Sequence, residues 1–130
     1  MATLTARIDL PTVVHSVPAA RHMAVELLSA WDVDRYRDDV ALVVTELVTN
    51  VVDHVGGEAS IVLELTLSDM WLRVSIADGS AVRPVVGELC GDQPRGRGMH
   101  LVAAVVDRWG CEDHQGGKRV WADLLTRPHA

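Results

Sequence analysis

The sequence contains no phenylalanine, one tyrosine and four tryptophans. The stacking platforms on which proteins hold single-stranded nucleic acid therefore have little to be built from, and the core has to be aliphatic. Net positive charge is also missing. At −6 the chain offers no broad basic field to offset phosphate repulsion, which argues against direct nucleic-acid binding. Its two cysteines, Cys90 and Cys111, are too few for the disulfide framework of a small secreted protein and read as incidental. No apolar run approaches the ~18 residues needed to cross a bilayer. The N-terminus lacks the basic start and apolar stretch of a signal peptide, so the expectation is a soluble cytoplasmic protein without a membrane partner. What is present is a globular balance, 48% hydrophobic and 23% charged over 130 residues, the size of a single domain with its core over about residues 10–125. A chain of this length buries roughly two-thirds of its unfolded surface, enough to fold without staples.

Glycine divides the chain. None of the ten precedes Gly56, and five fall between Gly79 and Gly98 together with Pro84 and Pro94. The first half is therefore expected to be helical. Ser16 and Pro18 mark a helix start, with Met23, Leu27 and Leu28 as its apolar face and an end near Trp31, which could belong to a partner surface. Asp34 is the cap candidate for a second, largely buried helix that runs to Gly56-Gly57; its length without a turn signal favours helix over strand despite its many valines. Residues 59–67 and 70–77 alternate or run apolar around Ser68-Asp69 and read as an antiparallel hairpin. A helix from Met99 and two strands, Trp109 to Glu112 and Arg119 to Leu125, complete the chain, while Ile8-Asp-Leu-Pro adds an edge strand. Trp71, Trp109 and Trp121 fall in strand segments and are expected to pack the sheet. The fold class is α+β: a two-layer α/β sandwich, a mostly antiparallel sheet with helices on one face.

Three clusters look chemical. In the long helix, Glu46, Asn50 and Asp53 share a stripe: Asn50 lies about 40° around the axis from Glu46, and Asp53 about 20° to its other side. Carboxylate, amide and carboxylate could converge on one ligand, although a helix with one wet face carries such residues without any ligand. His54 beside them has no recognisable set of further zinc ligands. Asp78 ends a strand and enters Gly79-Ser80, where its carboxylate can accept hydrogen bonds from a bound base or serve an ordinary Asp-Gly turn. Gly96 and Gly98, flanked by Arg95, Arg97 and Met99, open a helix whose bare N–H groups and dipole suit an anion, or simply give a flexible helix start. Neither the P-loop nor the dinucleotide-binding glycine pattern occurs.

The order of these clusters adds to each. Glu46-Leu-Val-Thr-Asn50-Val-Val-Asp53-His54, then Asp78-Gly-Ser80, then Gly96-Arg97-Gly98-Met99-His-Leu-Val, ending in Gly117-Lys-Arg-Val-Trp-Ala-Asp-Leu, resembles the anti-sigma-factor serine kinases. These are small histidine-kinase-like members of the GHKL ATPases, with the Bergerat fold. The resemblance implies an ATP and Mg²⁺ site in which Asn50 coordinates the metal, Glu46 acts as base or orients the acceptor hydroxyl, and Asp78 holds the adenine amino group. Gly96 and Gly98 would let backbone N–H groups approach the phosphates, and residues 81–95 would form a lid. The positions around these, Asp53, His54, Ser80, Arg95, Arg97 and Met99, fall within the same nucleotide-binding motifs. The resemblance also implies a homodimer whose partners are a sigma factor, an antagonist protein, or both. The first glycine box departs from the family pattern, with Asp78-Gly-Ser80-Ala-Val82 in place of Asp-x-Gly-x-Gly, so a non-catalytic adaptor that keeps the fold is the alternative. A stand-alone hydrolase ranks behind both, for want of a separate water-activating element.

Overall fold

A computed structural model describes residues 3–54, 60–78, 97–114 and 117–126. Strand β1 (Leu4–Pro11) leads into helix α1 (Ser16–Ala30). A 3₁₀ turn (Asp34–Tyr36) runs directly into helix α2 (Arg37–His54), followed by β2 (Ser60–Leu67), β3 (Trp71–Asp78), helix α3 (Arg97–Val105), β4 (Arg108–His114) and β5 (Gly117–Leu125). The five strands form one sheet in the order β1-β2-β3-β5-β4, and every pairing is antiparallel. The class expected from the sequence, α+β with helices on one face of the sheet, is the class observed.

Alternation makes the sheet two-faced. Ile61, Leu63 and Leu65 of β2, Leu72, Val74 and Ile76 of β3, and Val120, Ala122 and Leu124 of β5 are all buried. Their register sets Leu63 opposite Ile76 and Ile76 opposite Val120, so these side chains share the face that the helices cover. Helix α2 supplies the matching surface with Val40, Val43, Val44, Leu47, Val48 and Val51, none of them more than 1% exposed. The core cluster holds only Leu, Ile, Val and Ala, as the lack of phenylalanine requires.

Several local expectations change. Ser16 does not cap α1; it lies inside the first turn, and its Oγ donates to the carbonyl of Pro11. The buried stripe of α1 is Ser16, Ala20, Ala24 and Leu28. Small residues at i, i+4 spacing let α1 lie close against α2, which turns Leu27 to the margin of the core and leaves Met23 41% exposed. Trp31, partly buried, packs against the core. The helix closes in a Schellman motif: Val33 N–H bonds to Leu28 O and Asp32 N–H to Ser29 O, with Asp32 at φ 62°. Asp34 is the first residue of the 3₁₀ turn, whose N-cap position is taken by Val33. The edge strand is longer than expected, eight residues from Leu4. Cys111 packs at the core margin and is not a free thiol, so it is not incidental; Cys90 lies outside the described residues.

The face of the sheet away from the helices is organised by one carboxylate. Asp123, 1% exposed, accepts two hydrogen bonds from Arg73 (Nε 2.7 Å, Nη2 2.9 Å) and one from Arg108 Nε at 2.8 Å. Each guanidinium lies over an indole, Arg73 over Trp121 at 4.3 Å and Arg108 over Trp71 at 3.8 Å. Trp71 and Trp121 thus pack the sheet from its outer side. Trp121 stands opposite Gly110 in the ladder, and a Cβ at Gly110 would come within 2.6 Å of the indole. Burial pushes the Asp123 carboxyl up, but the hydrogen bonds and charges of Arg73 and Arg108 outweigh it and hold it below the usual carboxylate range.

Two outcomes follow from this cluster. Asp123→Asn is expected to lower unfolding free energy by about 1–2 kcal/mol, the worth of charge-assisted bonds discounted for the half-exposed arginines. Because the folded-state carboxyl is depressed, its contribution is complete above the unfolded value of about 4 and is lost as pH falls through the folded one. Denaturant titrations of wild type and variant should therefore converge in acid. Gly110→Ala should cost roughly 1–3 kcal/mol by displacing the indole, measured in the same way.

Candidate functional site

Helix α2 is packed against α1, α3 and β3, so only a narrow strip of it remains for polar side chains. Glu46 and Asn50 lie on that strip, both half-buried, and Asp53, about one turn later, is exposed. The helical phase read from the sequence is kept, but the groups stand at the margin of the core and not inside it. Desolvation is therefore partial, and a polar ligand could be met without burying a bare charge. His54 is the last residue of α2.

Chain direction brings the other two clusters to the same end. β2 starts at Ser60, five residues beyond the end of α2, and Ile61 pairs with Asp78, the last residue of β3. Helix α3 finishes at the opposite end: β4 begins at Arg108 opposite Asp123, and Asp107 N–H bonds to Asp123 O at 2.9 Å. The N-terminus of α3, where Arg97, Gly98 and Met99 lie, therefore faces the end of the sheet where β3 stops. Three termini, those of α2, β3 and α3, share one end of the sandwich beside the half-buried Glu46 and Asn50. An amide oxygen, a strand-end carboxylate and a helix N-terminus can serve respectively a hard cation, an exocyclic amino group and an anion. Ser80, Arg95, Gly96 and the expected lid, 81–95, lie outside the described residues.

Among the described residues, no group of three or more His, Cys, Asp or Glu side chains is placed to hold a metal ion. Mg²⁺ does not need such a cage: it keeps several waters and can be held by one or two protein oxygens together with substrate phosphates, a demand that the Asn50 amide oxygen fits. A separate cavity of about 360 Å³, lined by Glu64, Thr66, Trp71, Arg73, Arg108 and Asp123, opens on the outer face of the sheet. Sequence reading missed this cluster, because Arg73 and Asp123 at its centre lie 50 residues apart and each alone resembles an ordinary strand charge.

The architecture is that of an α+β sandwich with helices on one face of a five-stranded antiparallel sheet. The family model of the histidine kinase-like ATPase domain matches residues 10–124, and the chain belongs to that family of ATP-binding domains. A comparison with curated proteins gives no significant match. No helix among the described residues is long and apolar enough to cross a membrane.

Proposed function

We propose that the protein is an anti-sigma-factor-type regulator that binds ATP with Mg²⁺ and phosphorylates a serine of an antagonist protein, sequesters a sigma factor, or does both in turn. The observation that carries this reading is the gathering of Asn50, Asp78 and the start of α3 at one end of a histidine kinase-like ATPase sandwich. In it, Asn50 would hold Mg²⁺ through its amide oxygen, Asp78 would accept from the adenine amino group, and the Gly96–Gly98 segment would offer backbone N–H groups to phosphate. Asp53, His54, Ser80, Arg95, Arg97 and Met99 would line the same site. Bound ATP with its metal supplies the phosphoryl group and neutralises phosphate charge. Glu46, one turn before Asn50, would orient the acceptor serine and take its hydroxyl proton as the Oγ–P bond forms and the bond to the leaving ADP breaks. Positioning of this kind carries most phosphoryl-transfer catalysis. The partners fit a cytoplasmic setting, and a second copy of the chain is proposed as well.

A second reading has its own observation. Asp78-Gly-Ser80-Ala-Val82 lacks two of the glycines of the family pattern, which favours an adaptor that keeps the fold and works by binding another protein without catalysis.

Labelled ATP separates the readings. Transfer to the serine of a co-incubated antagonist supports the kinase, partner binding without transfer supports the adaptor, and phosphate release alone rejects both in favour of a hydrolase. Calorimetric titration should show that Asn50→Ala abolishes Mg²⁺-dependent ATP binding. Glu46→Ala should leave binding largely intact and slow transfer at least ~10²-fold, the worth of a general base; equal activity would remove Glu46 from catalysis.

A further inference from the structure

The outer face of the sheet carries hydrogen-bond donors that the fold itself does not use. Asp123 takes Nε and Nη2 of Arg73 but only Nε of Arg108. Nη1 of Arg73 and both Nη groups of Arg108 have no acceptor among the described residues. Yet neither guanidinium is loose. Each lies over an indole, Arg73 over Trp121 and Arg108 over Trp71, and each is held by a carboxylate that is 1% exposed. Their side chains remain 39% and 51% exposed, so ordered donors face solvent. They border the pocket of about 360 Å³, whose other sides include Trp71, Thr66, Ser75 and Glu64. In the ladder Thr66 stands opposite Arg73 and Ser75 opposite Glu64, which sets a hydroxyl beside each of these charges.

We propose that this pocket is a docking site for an acidic segment of a partner protein, seated by one Asp or Glu carboxylate on the outward N–H groups of Arg73 and Arg108. Charge complementarity selects that guest. Two guanidiniums on one buried carboxylate leave a positive charge at the cluster, and a planar carboxylate can accept from two guanidinium N–H groups at once. Because the indoles and Asp123 already order both arginines, binding immobilises little further side chain. Glu64 on the pocket wall sets the upper limit of charge: together with Asp123 it repels a phosphate dianion or a nucleic-acid backbone more strongly than a single carboxylate. Arg119, which also lines the pocket, is engaged by Glu112 at 3.3 Å and does not change that balance. Trp71 offers an apolar surface to a side chain beside the carboxylate, and Trp and Arg are the residue types that most often anchor protein interfaces. The pocket and α2 lie on opposite faces of the sheet, so the proposal holds for a kinase and for an adaptor alike.

The test pans a phage-displayed library of random peptides on the full chain and then titrates synthetic copies of the dominant enriched family by fluorescence anisotropy. These peptides are expected to carry Asp or Glu beside an apolar residue. Exchanging that acidic residue for its amide should weaken binding at least ~10-fold, and so should Arg108→Gln in the protein, since each removes a charge-assisted pair. A second variant, Thr66→Glu, leaves Arg73, Arg108 and Asp123 in place and sets a carboxylate opposite Arg73, where it competes with the guest. It should weaken binding to a similar degree, and it decides the matter if circular dichroism shows that Arg108→Gln does not fold. No enrichment over the input library, or an enriched family without an acidic residue, would overturn the proposal. Binding that survives the folded variants would overturn it too, by placing the peptide elsewhere on the chain. Phosphoserine at the acidic position binding more tightly than Glu would overturn it in favour of phosphopeptide recognition.

Discussion

The burial of α2 is the constraint on which the rest depends. Six aliphatic side chains of this helix, Val40, Val43, Val44, Leu47, Val48 and Val51, are sealed against the sheet and its neighbouring helices. At roughly 1.5–3 kcal/mol for each fully buried aliphatic side chain, the helix has little freedom to rotate about its axis. Rotation by even one residue's angle would carry Glu46 or Asn50 toward the core, where an unpaired amide or carboxylate costs more than the turn could return. The polar stripe is thus fixed by what lies behind it. The small Ala20 and Ala24 of α1 belong to the same arrangement, since bulk there would lever α2 off the sheet.

The two faces of the sheet solve different problems with different residue types. Under the helices, short branched aliphatics fill the layer with no polar atom to satisfy. On the outer face the described residues form no second layer, yet Asp123 is almost fully hidden, because Arg73 and Arg108 close over it while Trp71 and Trp121 support the guanidiniums from below. The strands β3, β5 and β4 are tied together across that face, and Gly110 is what leaves room for the indole. Trp71 and Trp121 serve as covers for a buried charge, while Trp31 and Tyr36 pack at the margin of the core.

Much of this was legible in the sequence. Period-two alternation gave β2 and β3 to within a residue, and the long unpunctuated valine-rich run gave α2. What failed was local capping. Ser16 and Asp34 carry the chemistry of helix caps, but Ser16 is drawn to the Pro11 carbonyl and a 3₁₀ turn begins at Asp34, competitions that depend on where the preceding strand ends. Hydrophobicity alone points to the wrong face of α1: Met23 is the greasier residue, yet the close approach of α1 and α2 needs alanine. The Asp123 cluster was invisible, since Arg73 and Asp123 meet only through the β3–β5 register. For the site, Glu46 and Asn50 share a partly buried face of α2 and Asp53 is exposed, whereas a convergence with Asp78 and Gly98 would depend on topology, which no local spacing encodes.

That topology bears on the choice between kinase and adaptor. Once β2 must lie antiparallel to β3, with α2 returning to its start, the ends of α2 and β3 meet whatever residues occupy them. With α3 obliged to finish beside the start of β4, its N-terminus is delivered to the same place. That these ends meet is therefore a property of chain direction and does not depend on which residues follow Asp78. What the two glycines missing after Asp78 would govern is how closely the following backbone approaches a nucleotide, because serine and valine carry a Cβ that glycine lacks. Under the proposed function, metal binding at Asn50 and catalysis at the phosphates would rest on different residues, so the first would survive the loss of the second.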